Sequence, residues 1–87
     1  MCYIYILKCN DGKLYTGWTK DIDRRLIEHN TSKKGSKFTR ARRPVEICYI
    51  EKFEDINSAL KREAEIKKLS RAKKLELISI NPYIEKK

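Results

Sequence analysis

The stretch "YIYILKCNDGKLYTGWT" at residues 3–19 decides the fold. Two apolar runs rich in tyrosine and isoleucine flank a polar Asn-Asp-Gly tripeptide at residues 10–12. Two β-branched and aromatic runs separated by such a tripeptide are typical of two strands joined by a tight turn. We therefore predict an antiparallel β-hairpin at this end of the chain.

The register of the hairpin determines which side chains meet. A three-residue loop with Gly12 in the left-handed conformation predicts that Tyr5 faces Gly17. It also predicts that Leu7 faces Tyr15. The two tyrosines then share one face of the sheet as diagonal neighbours. A two-residue Asp-Gly turn would shift the pairing and separate them onto opposite faces.

Gly17 is the second notable position of the hairpin. Glycine inside a strand often marks a place where a ligand or another backbone approaches closely. Opposite Tyr5 and two residues from Tyr15, it predicts a hollow lined by two phenols. The alternative is that both tyrosines are ordinary strand residues with satisfied hydroxyls. Trp18 points to the other face, where we expect it in the core.

The composition limits the classes of protein. The chain has 87 residues, with 21 Lys and Arg against 12 Asp and Glu and a net charge of +9. One domain with a thin core and a polyanionic partner fits these values. Three cysteines and one histidine give no zinc-binding spacing, so we expect reduced thiols. Without a membrane-length apolar run or a signal peptide, we expect a cytoplasmic protein with no membrane partner.

The rest of the chain predicts an α+β fold. We expect a small three-stranded antiparallel sheet flanked by about three helices, an α/β sandwich in a single domain at residues 1–87. Its core covers about 3–78, with a C-terminal tail at 82–87. After the hairpin we predict a helix capped by Thr19 or Asp21 and ending near Asn30, a strand at 45–53, a helix from Asn57 or Ser58 to Leu69, and a helix capped by Ser70 that ends before Asn81.

The segment 31–43 is the only long irregular stretch that we predict. It carries six basic side chains and no acidic one. Such a cluster favours contacts to phosphates, and an aromatic ring within it can stack on a base. The alternative is a solvated flexible loop. The nucleic-acid-binding residues that we predict are Gly17, Lys33, Lys34, Lys37, Phe38, Arg40, Arg42 and Arg43.

Two charged residues fall where apolar residues are expected. On a helical wheel, Arg25 and His29 share the stripe of Ile22 and Leu26, whereas Arg24 points away. A buried guanidinium without a partner costs several kcal/mol, so Arg25 needs an opposite charge or a wet cleft.

The second predicted helix repeats this pattern. Glu63 lies on the apolar stripe formed by Ile56 and Leu60, whereas Glu65 faces solvent. Two structural explanations remain open. Arg25 and Glu63 could pair with each other, or the helices could rotate so that both side chains reach water.

These residues resemble the GIY-YIG nuclease domain, and the resemblance runs from Tyr3 to about Leu77. The family is named for two tripeptides, which read "YIY" at 3–5 and "YTG" at 15–17 here. A family glycine is replaced by Tyr3 and an isoleucine by Thr16. The tyrosines at the chemical positions remain.

The resemblance continues downstream. "TKDIDRRLIEHN" is similar to the family helix whose arginine, ten residues after the second tyrosine, is catalytic; this implies Arg25. "SALKREAEI" resembles the helix that carries the metal-binding glutamate and implies Glu63. His29 matches a histidine found in part of the family. The chain departs from the family pattern at two auxiliary positions. Trp18 stands where some members have a lysine. Asn81 is the nearest counterpart of an asparagine that other members have late in the domain.

The resemblance implies a metal-dependent endonuclease that hydrolyses phosphodiester bonds in DNA. Glu63 would bind Mg²⁺ or Mn²⁺, and Arg25 would clamp the phosphoryl oxygens. Tyr5 or Tyr15 would activate the water, with His29 as a relay or a rival base. The implied partners are nucleic acid and, as an option, a targeting protein. The alternatives are a non-catalytic nucleic-acid-binding module, or an RNA-associated adaptor in which Arg25 and Glu63 are a structural pair.

Overall fold

The computed structural model describes residues 1–31 and 35–80. It confirms the α+β fold with one three-stranded antiparallel sheet, ordered β2-β1-β3. Along the chain the elements are β1 (Cys2–Lys8), β2 (Leu14–Thr19), α1 (Ile22–Thr31), α2 (Lys37–Arg40), β3 (Glu46–Phe53), α3 (Ile56–Lys67) and α4 (Arg71–Ile80). The predictions for Lys33, Lys34, Asn81 and the tail 82–87 lie outside the described residues.

The predicted register of the hairpin is confirmed. Gly12 adopts φ +85°, and the Cys9 amide donates to the Lys13 carbonyl at 2.8 Å. Tyr5 therefore faces Gly17. The left-handed residue closes a three-residue loop, which fixes the face on which every following side chain of β2 lies.

Each face of the sheet has its own apolar cluster. On what we call the α1 face, α1 and α2 cover a cluster built on Tyr5 and Leu7, with contributions from Cys9, Val45, Tyr15, Ile22, Leu26, Phe38, Ile47 and Ile50. On the α3 face, α3 and α4 cover a cluster built on Ile4 and Ile6, with contributions from Cys2, Tyr49, Ala59, Ile66, Leu14, Trp18, Cys48, Phe53, Leu77 and Ile78. Trp18 thus packs in the core opposite the tyrosine pair, as predicted.

A β-bulge in β3 divides its side chains between the two faces. Leu7 pairs with Ile47 and Ile6 pairs with Tyr49, so Cys48 is the extra residue. Without the bulge, Ile47 and Tyr49 would lie on the same face. With it, Ile47 packs on the α1 face and Tyr49 on the α3 face.

The prediction that the whole segment 31–43 is irregular is wrong. Residues 37–40 form the single helical turn α2, with Ser36 as its N-cap. Helix α3 also begins slightly earlier than predicted, at Ile56, because Asp55 is its N-cap and accepts the Ser58 amide at 2.8 Å. The predictions of α1 and α4 are confirmed, and the Ser70 hydroxyl accepts the amide of Lys73 at the start of α4. No helix among the described residues has the length and apolar character needed to cross a membrane.

Candidate active site

The phenol of Tyr5 lies over Gly17 of the neighbouring strand. A Cβ atom at Gly17 would lie 2.6 Å from the Tyr5 hydroxyl oxygen and 3.2 Å from a ring carbon of Tyr15. The hollow predicted at this glycine is therefore wrong, because the phenol of Tyr5 fills it. Gly17 is buried and makes room for the phenol, which is a structural reason for a glycine inside a strand.

His29 connects the hairpin to the segment after α1. Its Nε2 atom lies 2.8 Å from the Tyr5 hydroxyl, and its Nδ1 atom lies 2.8 Å from the Thr39 hydroxyl. His29 and Thr39 are both 0% exposed. The ring of Tyr15 meets the imidazole edge-on, with centroids 5.2 Å apart. Both ring nitrogens of the buried histidine are thus hydrogen-bonded, as buried polar groups must be.

Arg25 points inward, as the helical wheel predicts. Its side chain is 27% exposed, against 69% for that of Arg24. The guanidinium hydrogen-bonds the phenol of Tyr5 and donates to Glu28 Oε1 at 3.1 Å. Glu28 was not anticipated from the sequence, although its spacing of three residues from Arg25 is a known signal for an ion pair on a helix.

The protonation states of Tyr5 and His29 follow from their burial. Burial raises the pKa of Tyr5 to about 12, and the charges of Tyr15 and Glu63 act in the same direction while Arg25 opposes them. Burial, followed by the charge of Arg25, lowers the pKa of His29 to about 4. At neutral pH the phenol is protonated and the imidazole is neutral. A neutral imidazole has one nitrogen that can accept a proton.

Glu63 lies close enough to Tyr5 for its negative charge to contribute to the raised pKa of that phenol. Its side chain is 17% exposed, and its carboxylate is 3.6 Å from the Lys67 ammonium. In the structure, Arg25 forms an ion pair with Glu28, and Glu63 forms one with Lys67. A simple structural pair between Arg25 and Glu63 therefore receives no support from these contacts.

The donor chemistry of Glu63 fits a divalent cation. Mg²⁺ is usually held by one or two carboxylates together with waters and substrate phosphates. A part-buried carboxylate beside a single lysine provides such a donor. Within residues 1–31 and 35–80, no group of three or more His, Cys, Asp or Glu side chains is arranged to hold a metal. The protein's share of the coordination would thus rest on Glu63, with substrate supplying the rest.

The inner side of the site is dry. Tyr5 and Arg25 line a pocket that has no room for a water molecule, and the other lining residues are apolar: Leu7, Ile22, Leu26 and Ile47. A phosphate must therefore approach from outside this pocket. Neither Tyr15 nor Glu63 lines this pocket.

The basic segment divides into outward and inward side chains. Lys37 and Arg40 are exposed on α2. Arg42, in contrast, donates to Asp11 Oδ2 at 3.0 Å and to the Phe38 carbonyl at 2.9 Å. Its guanidinium also lies 4.1 Å from the centre of the Phe38 ring. Arg42 is therefore held by contacts within the protein, and the phosphate contact predicted for it stays a prediction.

Arg43 and Phe38 are likewise engaged within the protein. The Arg43 guanidinium donates to the His29 carbonyl at 2.6 Å and to the Glu28 carbonyl at 3.4 Å. It thus binds carbonyls in the last turn of α1, the part of a helix where carbonyls commonly need partners from outside the helix. Phe38 stacks on Tyr15 with centroids 6.0 Å apart. The ring of Phe38 thus packs into the wall of the site, and the stacking on a base predicted for it stays a prediction.

A second polar cluster, on the α3 face, was missed by sequence reasoning. Tyr49 donates to Glu51, and Arg62 Nε donates to both carboxylate oxygens of Glu51 at 3.0 and 3.2 Å. Burial and the hydrogen bond to Glu51 raise the pKa of Tyr49 to about 12. The cluster joins α3 to β3.

A comparison of the chain with models of known protein families identifies its family. A model of the family described as the GIY-YIG catalytic domain matches residues 1–76. The chain belongs to the GIY-YIG family. This superfamily consists of endonucleases, which act on nucleic acid and generally use divalent metals.

Small bacterial proteins resemble this GIY-YIG domain along nearly its whole length. A UPF0213 protein of Syntrophus aciditrophicus is 55% identical over 80 residues, 92% of each chain. One of Staphylococcus saprophyticus is 58% identical over 77 residues, 88% of this chain and 93% of that protein. The solution NMR structure of the UPF0213 protein of Bacillus halodurans superposes with a TM-score of 0.61 at 45% identity, covering 93% of this chain and 86% of that one. The name UPF0213 states no activity.

Proposed function

We propose that this GIY-YIG domain is a metal-dependent endonuclease that hydrolyses phosphodiester bonds in DNA. The observation that carries the proposal is the position of the Tyr5 phenol. It lies between a hydrogen-bonding Arg25 guanidinium and the Nε2 atom of a neutral His29, with the Glu63 carboxylate close enough to act on its pKa. Three elements, β1, α1 and α3, supply these groups. A proton acceptor, a cation for phosphate and a metal ligand are the parts that metal-assisted hydrolysis needs.

Glu63 would hold Mg²⁺ or Mn²⁺ beside the substrate. When bound, the ion would supply Lewis acidity for the departing 3′ oxygen. Hydrolysis in this direction would leave 5′-phosphate and 3′-hydroxyl ends. Lys67 currently neutralises the carboxylate from 3.6 Å, and its side chain is 54% exposed. Because the lysine is largely exposed, this ion pair is weak, and the lysine would yield readily to a divalent ion.

Arg25 would bind the phosphoryl oxygens. Its planar fork presents several N–H donors, of which some are engaged by Tyr5 and Glu28. These two partners hold the guanidinium in one orientation before the substrate arrives. A cation held in advance where negative charge accumulates lowers the barrier without further reorganisation.

The raised pKa of Tyr5 determines how the water is activated. A complete transfer of its proton to His29 runs from a group with a pKa of about 12 to one of about 4, which costs on the order of 10 kcal/mol. A free phenolate is therefore disfavoured. In the mechanism we propose, Tyr5 takes the proton of the attacking water while it passes its own proton to His29 Nε2. The bound phosphate then stabilises the imidazolium, and Tyr15 orients the substrate.

The DNA surface would extend from this site along α2. We assign phosphate contacts to Lys37 and Arg40, whose side chains are exposed. From the sequence alone we assign the same role to Lys33 and Lys34, which lie outside the described residues. Arg42, Arg43 and Phe38 contribute indirectly by holding this segment in place. Gly17 contributes by seating Tyr5.

Cleavage of labelled DNA tests the function. Branched, flapped, linear duplex and single-stranded substrates, with matching RNA, are incubated with and without Mg²⁺ or Mn²⁺. We expect metal-dependent cleavage that Glu63→Gln lowers by at least about a hundredfold. Glu65→Gln on the same helix, exposed to solvent, is the matched control and should cleave like the wild type. Salt-sensitive binding of DNA without cleavage of any substrate would overturn the proposal and leave a binding module.

A further inference from the structure

Thr39 is a buried threonine next to the imidazole of His29. Its hydroxyl oxygen lies 2.8 Å from His29 Nδ1, 3.1 Å from the Ser36 carbonyl and 2.9 Å from the Ser36 hydroxyl. Burying a hydroxyl without a partner costs free energy, and these contacts avoid that cost. Nothing in the proposed hydrolysis uses Thr39 directly, because it does not reach the substrate side of His29.

The contacts of Thr39 restrict where the protons lie. A threonine hydroxyl has one proton, and a backbone carbonyl can only accept. If the Thr39 hydroxyl donates to the Ser36 carbonyl, its oxygen must accept from His29 Nδ1. His29 then carries its proton on Nδ1, and its Nε2 atom presents a lone pair to the hydroxyl of Tyr5.

We propose that Thr39, held by Ser36, is a positioning residue that fixes His29 as the Nδ1–H tautomer and so keeps Nε2 free to receive the proton of Tyr5. The part of this inference that concerns proton transfer rests on the proposed function. The part that concerns the tautomer does not. In neutral histidine, the hydrogen bond of one ring nitrogen determines the role of the other.

The local sequence explains how Thr39 reaches His29. Ser36 is the N-cap of α2, and its hydroxyl accepts the Thr39 amide at 3.2 Å. Gly35 packs directly on the end of α1, where a Cβ atom would lie 2.8 Å from the Glu28 carbonyl and 2.9 Å from His29 Cα. Only a residue without a side chain allows this approach. The same turn that caps α2 thereby brings the threonine against the imidazole.

The charged and titratable neighbours of His29 keep it neutral. Arg25 on α1 and Arg43 before β3 both disfavour a second proton on the ring, whereas Glu28 on α1 favours it. Tyr5 on β1 and Tyr15 on β2 face the ring as phenols. With the imidazole neutral, two tautomers are available, and the contact to Thr39 selects between them.

Nitrogen NMR of the imidazole tests the tautomer directly. Long-range ¹H–¹⁵N correlations on the wild-type protein at pH 7.5 should show a protonated Nδ1 and an unprotonated Nε2. Thr39→Val keeps the shape and removes the acceptor, so we expect the Nε2–H tautomer to appear. Thr39→Ser keeps the hydroxyl and should preserve the wild-type spectrum. A wild-type spectrum with the proton on Nε2 overturns the proposal, and this measurement needs no variant to fold.

Cleavage kinetics then test the consequence. Thr39→Val should lower kcat by about ten- to a hundredfold with little change in KM, and Thr39→Ser should restore most of it. Unfolding by urea, measured on the same samples, separates loss of folded protein from loss of rate. An unchanged tautomer in folded Thr39→Val overturns the positioning role. A changed tautomer with unchanged cleavage supports the positioning role and refutes proton transfer to His29 in the proposed function.

Discussion

Two buried tyrosines on opposite faces of the sheet have the same raised pKa and different surroundings. Burial raises the pKa of Tyr5 and of Tyr49 to about 12. On the α1 face, Tyr5 meets a cation, Arg25, and a neutral proton acceptor, His29. On the α3 face, Tyr49 donates to Glu51, whose charge Arg62 already balances.

The difference shows that the partner, and not burial, decides what a buried phenol can do. The proton of Tyr49 is held by a carboxylate that is part of a complete ion pair, so neither group gains from moving it. The Tyr5 hydroxyl lies 2.8 Å from His29 Nε2 and beside the Arg25 guanidinium. In the mechanism that we propose, this nitrogen takes the proton of Tyr5 and the guanidinium stabilises the resulting charge. The first arrangement stabilises the fold, whereas the proposed function assigns proton transfer to the second.

Removing the two hydroxyls in turn gives the largest expected effect. Tyr5→Phe should lower metal-dependent cleavage by about 10²–10⁴-fold, the usual contribution of a group that transfers a proton. Tyr49→Phe should cleave like the wild type. It should instead lower the free energy of unfolding by about 1–3 kcal/mol, since it removes a hydrogen bond to a charged group. Cleavage rates and urea unfolding curves of both variants give the comparison, and equal losses of cleavage would contradict it.

Lowering the pH should reduce the stability of the protein, because His29 on the α1 face is neutral in the folded state. His29 has a pKa of about 4 in the folded protein and 6.5 as its ordinary value. Above pH 6.5 it is neutral in both states. As pH falls from 6.5 toward 4, the unfolded chain takes up a proton that the folded protein does not, so stability declines. The full loss is about 3 to 4 kcal/mol at most.

Urea unfolding at pH 7.5 and pH 5 measures this loss. The charges of Arg25 and Arg43 oppose the imidazolium, and that of Glu28 favours it. The measured difference in stability therefore combines the effects of these three charges with the effect of burial. His29→Gln provides the reference, because carboxylates titrate in both proteins. A wild-type curve that parallels the variant's would show that the imidazole charges freely in the folded state.

The sequence predicts those parts of the site that depend on local periodicity. The turn at Gly12 determines that Tyr5 and Tyr15 share a face, and the helical period places Arg25 and His29 toward the sheet. Both are patterns within fewer than twenty residues. Such patterns need no knowledge of tertiary contacts.

The missed parts depend on contacts between distant segments. Arg43 lies in a cationic run that is typical of a solvated surface, yet it donates to carbonyls fourteen and fifteen residues earlier. Thr39 reads as a polar loop residue, although Ser36 before it is a common N-cap and could have indicated the turn. The bulge at Cys48, which sends Tyr49 to the α3 face, leaves no signal in the alternation of apolar residues.

Gly17→Ala should disturb side-chain packing on the α1 face and leave the α3 face unchanged. The new methyl group would lie 2.6 Å from the Tyr5 hydroxyl oxygen, so the phenol must leave its 2.8 Å contact with His29. We expect a loss of about 1–3 kcal/mol in stability, typical of overpacking, together with reduced cleavage. Gly12→Ala is the matched control. It strains a backbone at φ +85° but leaves Tyr5 in place, so it should cost about 1 kcal/mol and preserve cleavage per folded molecule. Equal cleavage by both variants would contradict the seating role.

The smallest effect is expected on the α3 face, where one substitution should stabilise the protein. Thr16 pairs with Ile6 across the hairpin and is buried, and its hydroxyl has no hydrogen-bond partner in the part of the chain that the structure describes. The family motif has isoleucine at this position. Thr16→Val keeps the shape and removes the unsatisfied hydroxyl, so unfolding should require about 1 kcal/mol more.

Cleavage by Thr16→Val should equal that of the wild type, since the hydroxyl lies on the face away from Tyr5 and His29. Thr19→Val serves as the contrasting variant. The Thr19 hydroxyl accepts the Asp21 amide at 3.1 Å, so its removal should destabilise the start of α1. If Thr16→Val also destabilised the protein, the hydroxyl would have a partner in solution, such as an ordered water. The α3 face would then hold a polar contact beyond the Tyr49 cluster, and the contrast between the two faces would be weaker.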